Sequence, residues 1–412
     1  VTLLLRLYGA ATALLEPIAP ILLRGRARRG KEDPARLNER LGRPARARPA
    51  GALVWLHGVS VGESASLLPL VDALRTRRPD LNVLVTSGTV TSAEILARRL
   101  PPGVIHQFAP VDAPGAVARF LDHWRPDLAV LVESELWPNL IQAARRRGVR
   151  LGLLSARMTE ASAKGWARVP ASGRGLLAAF DVVMAQDEAT ADRLTRLGAT
   201  VTGRLNLKRV GAPLPVDERE MARLRNTFAG RKVVLAASTH PGEETLVAQA
   251  LRGLDALLVI APRHPDRGPG IAAELGAPRR SAGQLPAPET GVYVADTLGE
   301  LGLFFRLADV VVMGGAFASG IGGHNPLEAA RLGRPVITGP EAFNATELYE
   351  EMVERRCAIQ VSDGRELLVQ VRKMLDDPAL ARRMGEAALA YARDQDGALA
   401  EALAVLEPLL PA

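Results

Sequence analysis

The chain has 412 residues, long for one hydrophobic core, so two domains of about 200 residues each are expected. Apolar residues make up 48% and charged residues 24%, a globular composition that excludes a disordered chain. A single cysteine, Cys357, excludes a disulfide framework and a thiolate metal site and fits a reducing compartment. Lys and Arg number 52 against 45 Asp and Glu, a net +7 that suits anionic partners such as phosphorylated lipid, nucleotide or membrane. With 4% aromatic residues and no basic–aromatic interleaving, nucleic acid is not the expected partner.

The stretch from 3 to 23 is apolar but interrupted by Arg6, Glu16, Pro17 and Pro20, whereas a spanning helix needs about 20 mostly apolar residues. Arg24, Arg26, Arg28, Arg29 and Lys31 follow directly. That order predicts a segment, 1–31, lying in or partly inserted into a leaflet, with its basic flank on the cytoplasmic side near anionic headgroups. The competing readings are a signal peptide, for which no positive start or small-residue cleavage site is present, and a plain soluble helix.

From Ala52 onward, short β-branched runs alternate with helical runs. Strands are expected at 52–56, 83–86, 104–106, 128–132, 151–154, 182–185 and 200–202. Helices are expected at 64–77, 92–100, 114–123, 138–147 and 188–197. The rhythm resumes with strands at 232–236, 257–260, 292–295, 310–313 and 336–338. Apolar runs without alternation, separated by helix-length segments, predict α/β folding with parallel sheets covered on both faces. The proline-punctuated stretch Gly211-Ala-Pro-Leu-Pro215 divides the chain into expected domains 32–210 and 211–412. Ligands of such sheets bind outside the carboxyl ends of the strands, in a cleft.

The most informative stretch is the glycine-rich loop Gly314, Gly315, Gly320, Gly322, Gly323, followed by Pro326, which opens a helical run predicted to reach about Gly333. Such a loop feeding a helix N-terminus presents unpaired N–H groups to a phosphate. Glu328 is placed to accept a pair of ribose hydroxyls. Glycines at a strand–helix junction also occur for packing alone.

Further motifs accompany it: His-Gly-Val-Ser-Val-Gly-Glu (57–63), Glu-Ser-Glu-Leu-Trp-Pro-Asn (133–139), Ser-Ala-Arg (155–157), Ser-Thr-His-Pro-Gly-Glu-Glu (238–244), Pro-Arg-His-Pro (262–265), Asp-Thr-Leu-Gly-Glu-Leu (296–301) and Gly-Gly-His-Asn-Pro-Leu-Glu (322–328). In this order and spacing the chain resembles the 3-deoxy-D-manno-octulosonic acid (Kdo) transferase family over nearly its whole length, 3 to 410. The resemblance implies a GT-B architecture, two Rossmann-like doubly wound domains facing a central cleft, with the terminal run 397–409 crossing back to the first domain. It implies an inverting, metal-independent transferase of the inner membrane, without a cofactor, that moves Kdo from CMP-Kdo to a tetraacyldisaccharide lipid A precursor. An acceptor-binding first domain and a CMP-Kdo-binding second domain belong to that expectation. No His-x-x-x-His pair occurs, in keeping with no metal.

Glycosyl transfer needs a base for the acceptor hydroxyl and stabilisation for the departing phosphate. Glu63 sits where a first-turn glutamate would complement a helix dipole; the resemblance makes it the proton acceptor. Glu133 ends an apolar strand, and the resemblance makes it a transition-state stabiliser. Glu135 fits either a cap for the following helix or a site role. The family's lysine stands in Gly-Asn-Leu-Lys, while this chain reads Gly203-Arg-Leu-Asn-Leu-Lys208. Lys208 matches if Arg204-Leu205 is an insertion; otherwise Asn206 takes the position. For CMP, the resemblance points to Pro262, Arg263, Leu298, Gly299, Glu300, Asn325, Pro326, Leu327 and Glu328, with Arg263 suited to phosphate. His240 and His264 are either phosphate donors or ordinary histidines. The alternatives in function are another membrane-associated glycosyltransferase with a different nucleotide sugar, a nonhydrolytic sugar-nucleotide binder or lipid carrier, and an epimerase.

Overall fold

A computed structural model describes residues 2–134, 136–228 and 230–411. It comprises two compact units, Val1–Gly211 with Gln395–Ala412, and Ala212–Asp394.

The first unit is built on seven strands: β1 Leu53–His57, β2 Asn82–Ser87, β3 Ile105–Phe108, β4 Leu128–Val132, β5 Arg150–Ala156, β6 Val182–Ala185 and β7 Gly203–Arg204. Every pairing is parallel, in the order β3-β2-β1-β4-β5-β6-β7. β1 and β4 are buried along their whole length, because helices cover both faces, which is why they read as unbroken apolar runs. On one face Trp55 packs at a tilt against Phe120 (ring centroids 4.8 Å apart) beside Trp124 and Leu131. On the other, Leu56, Leu67 and Val130 pack with Ala402, Leu403 and Leu406 from the last turns of the helix Pro378–Leu406.

The second unit has six parallel strands: β8 Val233–Thr239, β9 Leu257–Pro262, β10 Val292–Val294, β11 Val310–Met313, β12 Val336–Thr338 and β13 Ala358–Gln360. Their order is β10-β9-β8-β11-β12-β13. In both sheets the chain builds outward on one side of the first strand and then restarts on the other. The loops after β1 and β4, and after β8 and β11, therefore run in opposite directions and leave a crevice at the carboxyl ends, the switch point where such sheets bind ligands.

Two elements depart from the sequence expectation. The strand expected at 200–202 is displaced to Gly203–Arg204, because the Thr202 N–H and hydroxyl both bond the Val183 carbonyl (2.8 and 2.9 Å) and the ladder starts one residue later. The edge strand β13 was not expected; three residues are too few to carry a periodicity.

Helices Leu3–Leu15 and Ala19–Ala27 are joined by the turn Glu16–Ile18 and together are long and apolar enough to cross a membrane. One side is nevertheless fastened by polar groups. The Tyr8 hydroxyl donates to Asp112 (2.9 Å), Asn139 donates to the Thr12 hydroxyl (2.9 Å), and Glu16 pairs with Arg119 (2.7 Å) while accepting the Gly115 N–H (2.8 Å). The other side leaves Leu3, Leu7, Leu14 and Ile21 exposed.

Asp112 joins this segment to the helix Pro138–Arg146, accepting the N–H groups of Asn139 (3.2 Å) and Leu140 (2.8 Å) besides Tyr8. Burial pushes its carboxyl pKa up, while these three bonds oppose the rise. Asp112→Ala strands three donors and should cost about 1–3 kcal/mol. All four tryptophans (55, 124, 137 and 166) lie in the first unit, so a denaturant titration followed by tryptophan fluorescence reads this loss without signal from the second.

Candidate active site

In the first unit, β1 ends at His57 and the turn Gly58-Val59-Ser60 leads into the helix Val61–Arg77. Ser60 caps that helix and Glu63 completes a capping box. Glu63 Oε2 accepts the N–H groups of Val59 (2.7 Å) and Ser60 (3.4 Å), and Oε1 accepts the Ser60 hydroxyl (2.9 Å). The dipole-complementing placement is thus realised, and it fixes the carboxylate at the mouth of the crevice. Gly58 lets the turn press onto β4: a Cβ there would lie 3.1 Å from the Glu63 Cβ and 3.2 Å from a Val132 methyl. The buried His57 ring contacts the Thr86 hydroxyl at 2.8 Å. Burial, reinforced by the charge of Arg40, pushes its pKa down to about 4, so it is neutral at neutral pH.

Across the switch point, Glu133 follows β4 in a left-handed conformation (φ 59°). Its N–H bonds the Leu154 carbonyl (3.2 Å) and its carbonyl accepts the Arg157 N–H (3.2 Å), so neighbouring backbone determines this unfavourable geometry. The side chain is only 6% exposed, and Lys208 Nζ approaches its Oε1 at 2.5 Å, as an ion pair rather than a well-formed hydrogen bond. On the adjacent strand β5, Ser155 is also left-handed (φ 51°) and its hydroxyl accepts the Leu207 N–H (3.3 Å). That bond anchors the turn Leu207–Arg209, which carries Lys208.

Arg204 and Leu205 are part of the sheet: Arg204 closes β7 and the Leu205 N–H bonds the Ala185 carbonyl (2.9 Å). Asn206 serves as the cap of the next turn, accepting the Lys208 N–H (3.1 Å). The cation that reaches Glu133 is therefore Lys208. Its Cε would lie 3.5 Å from a Cβ on Gly62, so it also runs beside the residue preceding Glu63. Glu63, Glu133 and Lys208, far apart in sequence, share one crevice. Glu135 lies outside the described residues.

The second crevice gathers the remaining motifs. Pro262 is the last residue of β9, and the Arg263 N–H bonds the Thr239 carbonyl (3.0 Å), leaving an exposed guanidinium. Burial raises the Glu328 pKa, and the positive charges of Arg263 and Arg331 oppose that rise. Asn325 Oδ1 accepts the Leu327 N–H (3.0 Å) at the start of the helix Leu327–Ala330. The run expected to reach Gly333 is thus a single turn with Pro326 at its cap, because Gly333 turns left-handed (φ 66°) and ends it.

Leu298 is 89% exposed and Gly299 is left-handed (φ 86°), and the helix begins only at Leu301. The Glu300 carboxylate is committed to Arg280 (2.6 Å) and the Thr297 hydroxyl, and the Arg280 bond holds its pKa down. Among the described residues no group of three or more His, Cys, Asp or Glu side chains could hold a metal ion.

The sequence reading passed over two features here. His240 Nε2 lies 2.8 Å from His324 Nε2, and the buried Glu243 ties both of their loops together. Each residue stood inside a quoted motif, but no local signal pairs positions so far apart.

Residues 35–209 match the family described as 3-Deoxy-D-manno-octulosonic-acid transferase (kdotransferase). The 3-deoxy-D-manno-octulosonic acid transferase of Rickettsia bellii is 35% identical over 384 residues, covering 90% of this chain and 91% of that protein. The one from Bordetella pertussis is 36% identical over 434 residues, covering 98% and 99%. Among solved structures, a glycosyltransferase from Rickettsia africae is similar with a TM-score of 0.58 at 10% identity, over 88% of this chain and 99% of that one. UDP-GlcNAc 2-epimerase from Neisseria meningitidis reaches 0.57 at 13% identity, over 87% and 100%. These last two likenesses show the fold alone, a GT-B-like pair of doubly wound sheets.

Lys208→Met leaves the buried Glu133 carboxylate without its counter-charge. Breaking a buried pair costs about 3–5 kcal/mol, but Lys208 is 43% exposed, so solvent screening reduces the expected loss to roughly 1–2 kcal/mol. Adding Glu133→Gln should recover part of it, since both charges are then gone. Tryptophan-monitored unfolding of the two single variants and the double variant measures the coupling.

Proposed function

The chain belongs to the 3-deoxy-D-manno-octulosonic acid transferase family and is a glycosyltransferase of that kind; we propose that it moves Kdo from CMP-Kdo to a tetraacyldisaccharide lipid A precursor, with inversion and without a metal ion. The observation that carries this reading is the convergence of Glu63, Glu133 and Lys208 at the first switch point. A protein that only binds a sugar nucleotide has no need of a fixed carboxylate beside a strained, ion-paired one.

Glu63 is the proton acceptor. Two backbone N–H groups hold its Oε2, while its Oε1 receives only a rotatable serine hydroxyl, which an acceptor hydroxyl can displace. As that hydroxyl attacks the anomeric carbon, its proton passes to Glu63. Attack in one step, opposite the departing phosphate, inverts the configuration. Positive charge develops at the anomeric carbon, and Glu133 stabilises it; Lys208 pairs with Glu133, orients it and offers its cation to the Kdo carboxylate or phosphate.

The donor nucleotide belongs to the second crevice. Arg263 bonds the phosphate, Glu328 accepts the ribose hydroxyls, and Pro262, Leu298, Gly299, Glu300, Asn325, Pro326 and Leu327 complete the CMP site. Arg263 and backbone N–H groups offset the phosphate charge in place of a cation. The exposed apolar side of the N-terminal helices, continued by exposed Arg24, Arg28, Arg29 and Lys31, supports a seat on the cytoplasmic face of the inner membrane, where an acylated acceptor resides.

Incubation with CMP-Kdo and the tetraacyldisaccharide, read by mass spectrometry, should give a product carrying one or more Kdo units, undiminished by EDTA. Transfer from another nucleotide sugar in its place would reject the donor assignment, and activity lost to EDTA but restored by magnesium would reject the metal-free mechanism. Glu63→Gln should lower turnover roughly 100-fold or more with CMP affinity within a few-fold; near-normal turnover would remove Glu63 as the base. Arg263→Ala removes a charge-assisted bond of about 1.5–3 kcal/mol, so CMP affinity by calorimetry should fall roughly 10- to 150-fold.

Each basic residue near anionic headgroups contributes about 1 kcal/mol. Replacing Arg24, Arg28, Arg29 and Lys31 by Gln should weaken co-sedimentation with anionic vesicles and flatten its salt dependence. Arg26 is left in place because it is paired with the buried Glu32 (2.8 Å).

A further inference from the structure

His240 follows β8 and His324 stands at the end of the glycine loop that follows β11, so the two come from the strands flanking the second switch point. Their Nε2 atoms are 2.8 Å apart and their rings lie edge to edge and nearly coplanar, with centroids 5.0 Å apart and 12° between planes. At that separation one nitrogen carries a hydrogen and the other accepts it. Both backbones are fastened. Glu243, 1% exposed, accepts the N–H groups of His240 (2.8 Å) and Gly315 (2.7 Å) on one oxygen and that of Phe317 (2.8 Å) on the other. The Tyr349 hydroxyl donates to the His324 carbonyl (2.8 Å). Gly315 is left-handed (φ 77°), and a Cβ there would come within 2.9 Å of the His324 ring, so glycine makes the space the ring occupies.

The surroundings are mostly positive. His264 stands edge-on to His240 at 6.1 Å. Arg263 and Arg267 act on His240 from the segment after β9, and Arg263 and His264 act on His324; among the described residues Glu243, below, is the acidic group acting on the pair, through His240. Burial is the largest influence: it lowers the pKa of His240, and with these charges brings His324 down to about 4. At neutral pH the pair is therefore uncharged, and both residues are half-buried.

We propose that His240 and His324 act as one proton-holding unit, which takes a proton from solvent when the donor's phosphate docks and presents it to the phosphate oxygen that leaves the sugar. The proposal rests on the CMP-Kdo reading above. When the bond from the anomeric carbon to that oxygen breaks, its electron pair stays on the phosphate. A diester with one negative charge becomes a monoester with two. With the third proton bound, the pair keeps its Nε2–Nε2 hydrogen bond and carries an N–H on each Nδ1, one of which meets this second charge by a charge-assisted hydrogen bond. The acceptor's own proton goes to Glu63, so the ring proton is the one taken up at docking, and it returns to solvent when CMP leaves. Both histidines thereby contact a reacting atom, and the roles found for His240 and His324 differ from that of Arg263, whose charge is permanent.

The test is calorimetric titration of the whole protein with CMP at pH 7.5, where the phosphate monoester is mostly dianionic because its second pKa is about 6. Repeating it in buffers of different ionisation enthalpy gives the number of protons bound. The wild-type protein should take up between about half a proton and one. His324→Gln and His240→Gln retain a donor of similar reach; each should still bind CMP, with affinity lowered roughly 10-fold, a share of one charged hydrogen bond, but with no proton uptake. Two variants are used so that misfolding of either, visible by circular dichroism, leaves the other to decide. CMP binding without proton uptake in the wild type, or with undiminished uptake in a folded variant, overturns the dyad alone. No CMP binding by the wild type overturns the donor assignment and the dyad with it.

Discussion

The constraint on which both crevices depend is the way a parallel sheet grows. Each new strand must be reached by a crossover along a face of the sheet, and all strands then end at one edge. Once a sheet has been extended from both sides of its first strand, the two loops nearest that strand diverge, and the edge opens between them. In the first unit those loops carry Glu63 and Glu133, and in the second they carry His240 and the glycine loop with His324. The polar side chains need no special fold of their own; they occupy the two places where the backbone leaves a gap.

A shared device steadies both gaps. In each unit a glutamate in the first turn of the helix after the opening strand turns back to collect backbone N–H groups: Glu63 from Val59 and Ser60, Glu243 from His240. Helix N-termini leave donors unsatisfied, and a carboxylate there also faces the positive end of the dipole. The two then diverge with burial. Glu243 is enclosed and all its capacity goes to holding the His240 and glycine loops together. Glu63 is half-exposed, with one oxygen bonded only by a hydroxyl, so it is fixed in place yet accessible to a proton.

Backbone strain concentrates at the same edge. Glu133, Ser155 and Ser238 are non-glycine residues with positive φ, and each stands at or beside the carboxyl end of a strand, β4, β5 and β8. Such conformations cost of order 1–3 kcal/mol and persist where neighbours over-determine them. For Glu133 the neighbours are the carbonyl of Leu154, the N–H of Arg157 and the Lys208 ammonium. The left-handed residue carries the carboxylate that pairs with Lys208 just beyond the end of β4.

The sequence by itself determined the parallel α/β class and the places of most strands, because apolar runs of strand length separated by amphipathic helices are a local signal that burial on both faces requires. It also marked Glu63, Glu133 and Arg263 as polar residues at strand ends, and Glu328 in the helix that follows the glycine loop. It could not bring Lys208 to Glu133, since Arg204 and Leu205 look like an insertion until their bonding to β6 shows them to be the end of a sheet. Nor could it shorten the helix after Pro326, add the three-residue edge strand β13, or join His240 to His324 across 84 positions. Local structure follows from side-chain pattern over a few residues; these other features depend on which loops a strand order places side by side, and only the tertiary structure decides that.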